Sequence, residues 1–158
     1  MSFLIVLAVV TAALFITVYV TKRRVGVLGL GLAAGAILSN LWVGDLTPLV
    51  AQAGIEIVRP PLSSVVATAV TLLPALILLF GGPGYKMAWQ RIVGSLVFAI
   101  LAIVLLLEPL GAALVIDESG KPLFEFLQRY QNILITIGLS FAVVDLLLTR
   151  SPRGHKEH

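Results

Sequence analysis

Five stretches of this chain stay apolar for close to the length of a bilayer crossing, and short polar segments separate them. A helix rising about 1.5 Å per residue needs about 20 mostly apolar residues to cross ~30 Å of hydrocarbon. Phe3 to Val20 is the first run, and Thr21, Lys22, Arg23 and Arg24 end it. Val25 to Val43 is the second. The third, Leu62 to Phe80, is entered through Pro60 and Pro61 and left through Gly81, Gly82, Pro83 and Gly84. The fourth, Ile92 to Leu107, is short and follows Trp89; its continuation past Pro109 is open. The fifth runs from Asn132 to Leu148. The pattern predicts an all-α integral membrane protein, a polytopic bundle of about five transmembrane helices. It forms a single domain over residues 1–148, followed by a tail over 149–158.

Two connections carry order of their own. Thr47 and Pro48 read as an N-cap and a first helical proline. Beyond them Leu46, Leu49, Val50, Ala53 and Ile57 share one helical face. That predicts a short helix lying at the outer interface and ended by Pro60 and Pro61, with a plain continuation of the second span as the alternative. Farther on, Ala113 to Ile116 and Leu123 to Phe126 flank a polar turn containing Gly120. This is a hairpin signal. A helix from Pro122 through the fifth span competes with it.

Composition sharpens the membrane reading. Hydrophobic residues make up 59% of the chain and charged residues 12%. A soluble domain carries roughly 25% charged residues, and this chain could not hide so much aliphatic surface from water. Met1 to Val20 has no basic segment before its apolar run, so it reads as a retained span and not a cleaved signal. With no cysteine, disulfides and thiolate chemistry are excluded.

Charge sets the orientation. With the Lys22–Arg24 connection placed inside, Lys86, Arg91, Arg150, Arg153 and Lys156 join it, giving eight inside cations. Arg59, Lys121 and Arg129 are the three outside. Short connections follow the positive-inside bias, so the expected orientation is N-terminus outside and C-terminus cytoplasmic. Asp45, Glu56, Asp117, Glu118 and Glu125 all fall outside.

Candidate chemistry is sparse. Gly31 and Gly35, with Ser39 one turn on, line one face of the second span and admit a close helix. The face serves either packing within the chain or an oligomer; the bland reading is chance in a Gly/Ala-rich helix. Gly26 and Gly29 widen the glycine surface. Asp145 is the one acid inside a span. An intramembrane ionisable group marks a transport or proton role by default. Here its depth near the inner end favours a structural pair with Arg150, Arg24 or Arg91. Glu108, beside Pro109, marks where the fourth span leaves the hydrocarbon. Asn40, Thr68, Thr71 and Pro74 complete the polar or bending features; Pro74 removes one backbone bond and predicts a kink. Tyr85 to Trp89 reads as an interfacial anchor. His155 and His158 in the tail read as solvated, not metal-binding. No catalytic or phosphate-binding motif is present, so no enzymatic activity, cofactor, metal or nucleic-acid partner is expected.

The arrangement resembles the colicin V production protein family of small bacterial inner-membrane proteins. The resemblance covers Phe3 to Leu110 and rests on several elements. Lys22, Arg23, Arg24, Val25 and Gly26 follow the first span, and Asp45, Leu46, Thr47, Pro48 and Leu49 close the second. A glycine-rich turn follows the third, and Gln90, Arg91, Ile92, Val93, Gly94 and Ser95 open the fourth. The chain departs from the family in its Arg24–Val25–Gly26 element and in its fifth span. The resemblance implies a multi-pass protein of the bacterial inner membrane with an envelope role in export or stress tolerance and no established enzymatic chemistry. Two functions compete on the residues themselves, one resting on the packing motif and the lack of a site, the other on Asp145, Pro74 and Asn40. The first is a scaffold or accessory subunit, with the lipid bilayer and a second copy or another membrane protein as partners. The second is a small transporter or channel subunit using intramembrane polar residues. Polar side chains from several spans converging on a cavity would mark the transporter; a dry small-residue interface would mark the scaffold.

Overall fold

The computed structural model describes residues 3–54, 60–81, 84–85, 87–114 and 116–148. Glu56, Ile57, Arg59, Gly82, Pro83, Lys86, Val115, Arg150, Arg153, His155, Lys156 and His158 lie outside the described residues. Six helices follow in order: α1 Phe3–Thr21, α2 Val25–Gln52, α3 Leu62–Phe80, α4 Ala88–Leu105, α5 Leu107–Ala113 and α6 Lys121–Leu147. All but α5 are long and apolar enough to cross a membrane, as in a multi-pass membrane protein. The described residues form no strand, only an isolated antiparallel bridge between Arg23 and Gly84.

Three boundaries differ from expectation, each for a local reason. α2 does not stop at Val43; it runs to Gln52 with Pro48 inside it, so no separate interfacial helix forms over Leu46 to Ala53. Thr47 does not cap a new helix. Its hydroxyl donates back to the Val43 carbonyl at 2.7 Å, as a mid-helix threonine does. One missing backbone bond does not end a helix already propagated for many turns. Of the two readings of the connection around Gly120, the hairpin is absent and the helix through the fifth span forms. Pro122 sits in the first turn of α6, where its missing N–H is harmless, and Leu123 and Phe126 are helical. The fifth crossing thus begins at Lys121, not Asn132. The fourth starts earlier, at Ala88, and breaks at Leu106 before resuming as α5. Pro109 has no N–H to donate to the Leu105 carbonyl four residues back, and its ring crowds that carbonyl. Pro74 also removes a bond, yet α3 remains one helix around it.

α2 is the centre of the bundle, packing against α3, α4 and α6, while α1 leans on α4. Val18, Val25, Leu28, Leu32, Ala75, Tyr85, Phe98 and Ala102 form the main buried cluster. A second cluster seats Phe3, Leu7 and Ile103 under α5 and the start of α6, where Phe3 meets Phe124 edge to face at 5.7 Å. The periphery is aliphatic: Val9, Leu41, Ile77 and Ile137 are each more than half exposed. In water such a belt would be an aggregation surface; against acyl chains it is the expected boundary.

Candidate functional site

The two ends of the bundle hold their polar residues differently. α2 and α3 are antiparallel neighbours, and small residues let their backbones touch. A Cβ on Gly35 would land on the Thr71 carbonyl oxygen, and one on Gly31 would stand 2.7 Å from Leu78 Cδ1 and 3.3 Å from the Ala75 backbone. One turn further, the Ser39 hydroxyl donates to the Ala67 carbonyl at 3.3 Å. Gly31, Gly35 and Ser39 thus face Ala75, Thr71 and Ala67, two stripes of small residues at the same four-residue spacing. Gly26 and Gly29 serve a different neighbour. Their Cβ positions meet Ala142 of α6, at its carbonyl oxygen 2.6 Å from Gly26 and at its Cβ 3.1 Å from Gly29.

Beyond Ser39 the close seam ends and a cavity of about 340 Å³ opens between α2, α3, the end of α4, α5 and α6. Its polar lining is Ser39, Asn40, Ser63, Ser64, Thr71, Glu108 and Gln131. Thr71 lies nine residues into α3, so the cavity reaches roughly 14 Å along that helix, near the middle of a ~30 Å hydrocarbon layer. Ser64 and Thr71 are buried residues, at 6% and 3% exposure, but their hydroxyls reach the cavity and neither hydrogen-bonds to a described residue. Asn40 and Glu108 are exposed at the cavity. Gln131 is committed locally: its amide donates to the Val104 carbonyl at 3.4 Å, beside the break before α5.

At the opposite end, charged groups are used to finish helices. α1, α3 and α6 end there, and none has a basic residue in its own last turn. Arginines from other elements supply the missing donors. Arg91 donates to the Tyr19 carbonyl of α1 at 2.7 Å, and its guanidinium lies 4.5 Å from the Tyr19 ring centre. Arg23 donates to the Leu79 and Phe80 carbonyls of α3 at 2.9 and 3.3 Å. Arg24 donates to the Asp145 carbonyl of α6 at 3.4 Å and pairs with its carboxylate at 3.9 Å. Cations at helix C-termini meet both the unpaired carbonyls and the negative end of the dipole. Lys22 turns the chain into this arrangement with a left-handed φ of 58°.

α2 begins at the same end, and no cap comes from Arg24, its own N-cap residue. Two distant residues provide it. Asp145 accepts the Gly26 N–H at 3.0 Å, and the Tyr85 hydroxyl accepts the Val25 N–H at 3.1 Å. A carboxylate at a helix N-terminus is favourable in both hydrogen bonding and field. Tyr85 also hydrogen-bonds Asp145. Burial pushes its hydroxyl up to about 12; the Val25 N–H and the Arg24 charge oppose the rise, and Asp145 adds to it. The phenol is thus protonated at neutral pH and donates to the carboxylate. Tyr85 is held by its own N–H, which bonds the Lys22 carbonyl at 2.8 Å, and by Gly94, where a Cβ would overlap the ring.

The sequence-predicted residues therefore divide. Asn40, Thr71 and Ser39 come together at the cavity; Gly31 and Gly35 lie on the seam below it, and Pro74 is one turn past Thr71 on α3. Asp145 is elsewhere, fourteen residues along α6 from Gln131, or roughly 21 Å. Ser63, Ser64, Glu108 and Gln131 were not anticipated as cavity residues, nor Tyr85 as a capping partner. The stripe Ala67–Thr71–Ala75 was the available sequence signal for α3 as the partner of α2. Among the described residues no group of acids and histidines could hold a metal ion. Compared with known protein families, curated proteins and solved structures, the chain finds no match, so its likeness to the colicin V production family rests on the residue pattern alone.

Proposed function

We propose that this chain is a small multi-pass transporter or channel subunit whose cavity admits a small polar solute from the end away from the arginines. The observation that carries this is the pair of hydroxyls on Ser64 and Thr71, otherwise buried residues, which bond no described residue and open into a cavity built by five helices. Hydroxyls that line a cavity and bond no described residue are satisfied there by water or by a polar solute. The competing scaffold reading rests on the Gly31–Gly35 packing face, which α3 of the same chain occupies, and on the lack of a site. The positive-inside bias puts the arginine end in the cytoplasm and the cavity mouth outside, in a bacterial inner membrane on the family resemblance. With no native cysteine, one thiol at Lys22 and one at Ser119 test this orientation. An impermeant reagent should label only Ser119→Cys in intact cells, and the reverse pattern would invert the orientation.

Transport itself is tested in liposomes carrying the full chain with Asn40→Cys, a cavity position exposed enough to accept the change. Glycerol, ethanolamine and acetate fluxes are read by light scattering before and after a small methanethiosulfonate reagent. Flux of at least one solute should exceed that of protein-free vesicles, fall on modification and return with reductant. Protein-free permeability for all three solutes would overturn the proposal.

A further inference from the structure

Resting on that cavity reading, we infer that its solute is a small organic cation bearing hydrogen-bond donors, with Glu108 as the residue that selects for charge. Glu108 is the one ionisable side chain among the described cavity-lining residues. It forms no ion pair with a described residue, whereas Asp145, the acid inside a span, has Arg24 beside it. The remaining polar lining is hydroxyl and amide: Ser39, Ser64, Thr71 and Asn40 offer oxygens that accept from an ammonium or a hydroxyl without contributing positive charge.

The wider field has the same sign. At the cavity end the described charged residues are Asp45, Glu108, Asp117, Glu118 and Glu125 against Lys121 and Arg129, five acids to two bases. At the other end Lys22, Arg23, Arg24 and Arg91 stand against Asp145, four bases to one acid. A mouth of one sign with low-dielectric walls concentrates counter-charged solutes and repels like-charged ones. An anionic solute would meet a carboxylate at the rim and no cation along the described lining. A quaternary ammonium fits less well than a protonated primary amine, because the lining has no aromatic side chain to cover a methylated cation and has acceptors for N–H donors.

The test is calorimetric binding to the full chain in lipid nanodiscs at pH 7, with ethanolamine, glycerol and acetate as probes. Ethanolamine should bind about tenfold or more tightly than glycerol, the difference shrinking as salt is raised, and acetate should not bind. Glu108→Gln keeps the side chain's shape at an exposed position and should fold. It should collapse the ethanolamine-to-glycerol ratio toward one. If ethanolamine and glycerol bind wild type equally, or the ratio survives Glu108→Gln, the charge inference is overturned while the cavity reading stands. If neither solute binds, the cavity reading falls and the inference with it.

Discussion

The two ends of the bundle treat polar atoms in opposite ways. At the arginine end, Arg23, Arg24, Arg91, Tyr85 and Asp145 are used on backbone groups that helices leave open, and α1, α2, α3 and α6 each gain a partner there from another element. At the cavity end, Ser64 and Thr71 are likewise buried residues, but their hydroxyls open to the cavity and bond no described residue. Depth and burial alone do not distinguish a structural polar residue from one available to a ligand. Whether its hydrogen bonds are already committed does.

The largest expected effect tests the seam that separates the two ends. Gly35→Leu forces a side chain onto the Thr71 backbone, which cannot rotate away, so α2 and α3 must part. Loss of folded, monodisperse protein on size-exclusion chromatography is expected; normal yield would mean that the seam opens easily. Next comes the capped end. Asp145→Ala strips the Gly26 N–H of its acceptor and Arg24 of its counter-charge, and should cost about 1–3 kcal/mol. Asp145→Asn retains an acceptor oxygen and should cost less. Thermal unfolding in detergent ranks the two, and equal midpoints for all three proteins would remove Asp145 from the cap.

A pH profile is a finer probe of the same end. Tyr85 is raised to about 12 from 10.0, so its folded form holds the proton more tightly than the unfolded chain does. Its contribution is therefore complete below pH 10 and is lost as pH rises through about 12. Wild-type stability should fall more steeply than that of Tyr85→Phe across this window; parallel curves would contradict the hydroxyl's role. The smallest effect is expected at the cavity. Thr71→Val preserves shape and deletes a hydroxyl that bonds no described residue, so stability should stay within about 0.5 kcal/mol. A loss as large as that of Asp145→Ala would erase the contrast between the ends.

Much of the fold was legible because one signal dominates it. The bounds of α3 at Leu62 and Phe80 follow directly from apolar length. Where prolines met helices, local signals misled. Pro48 reads as a helix start but sits inside α2, and Pro109 reads as an exit but divides α4 from α5. Local rules state what proline removes, whereas tertiary packing decides whether the helix survives the loss. The glycine stripe was legible as a packing face, but not its partner. The cavity was the least legible feature. Ser63 and Ser64 resemble an ordinary helix start, Glu108 a boundary marker and Gln131 loop polarity. Only the assembled bundle brings them together, and no single-helix period encodes that meeting.

The cap on α2 also has a consequence for the order in which the chain is built. A ribosome releases the Gly26 N–H 119 positions before Asp145, its acceptor, exists. The α2–α3 pair, contiguous in sequence and joined by a short connection, has everything it needs as soon as both helices are inserted. The start of α2 waits for α6. Until the last crossing docks, the Gly26 N–H in the first turn of the central helix lacks the carboxylate that caps it in the folded chain. A chain ending before Asp145 leaves that start uncapped at Gly26, however well its first helices have already paired.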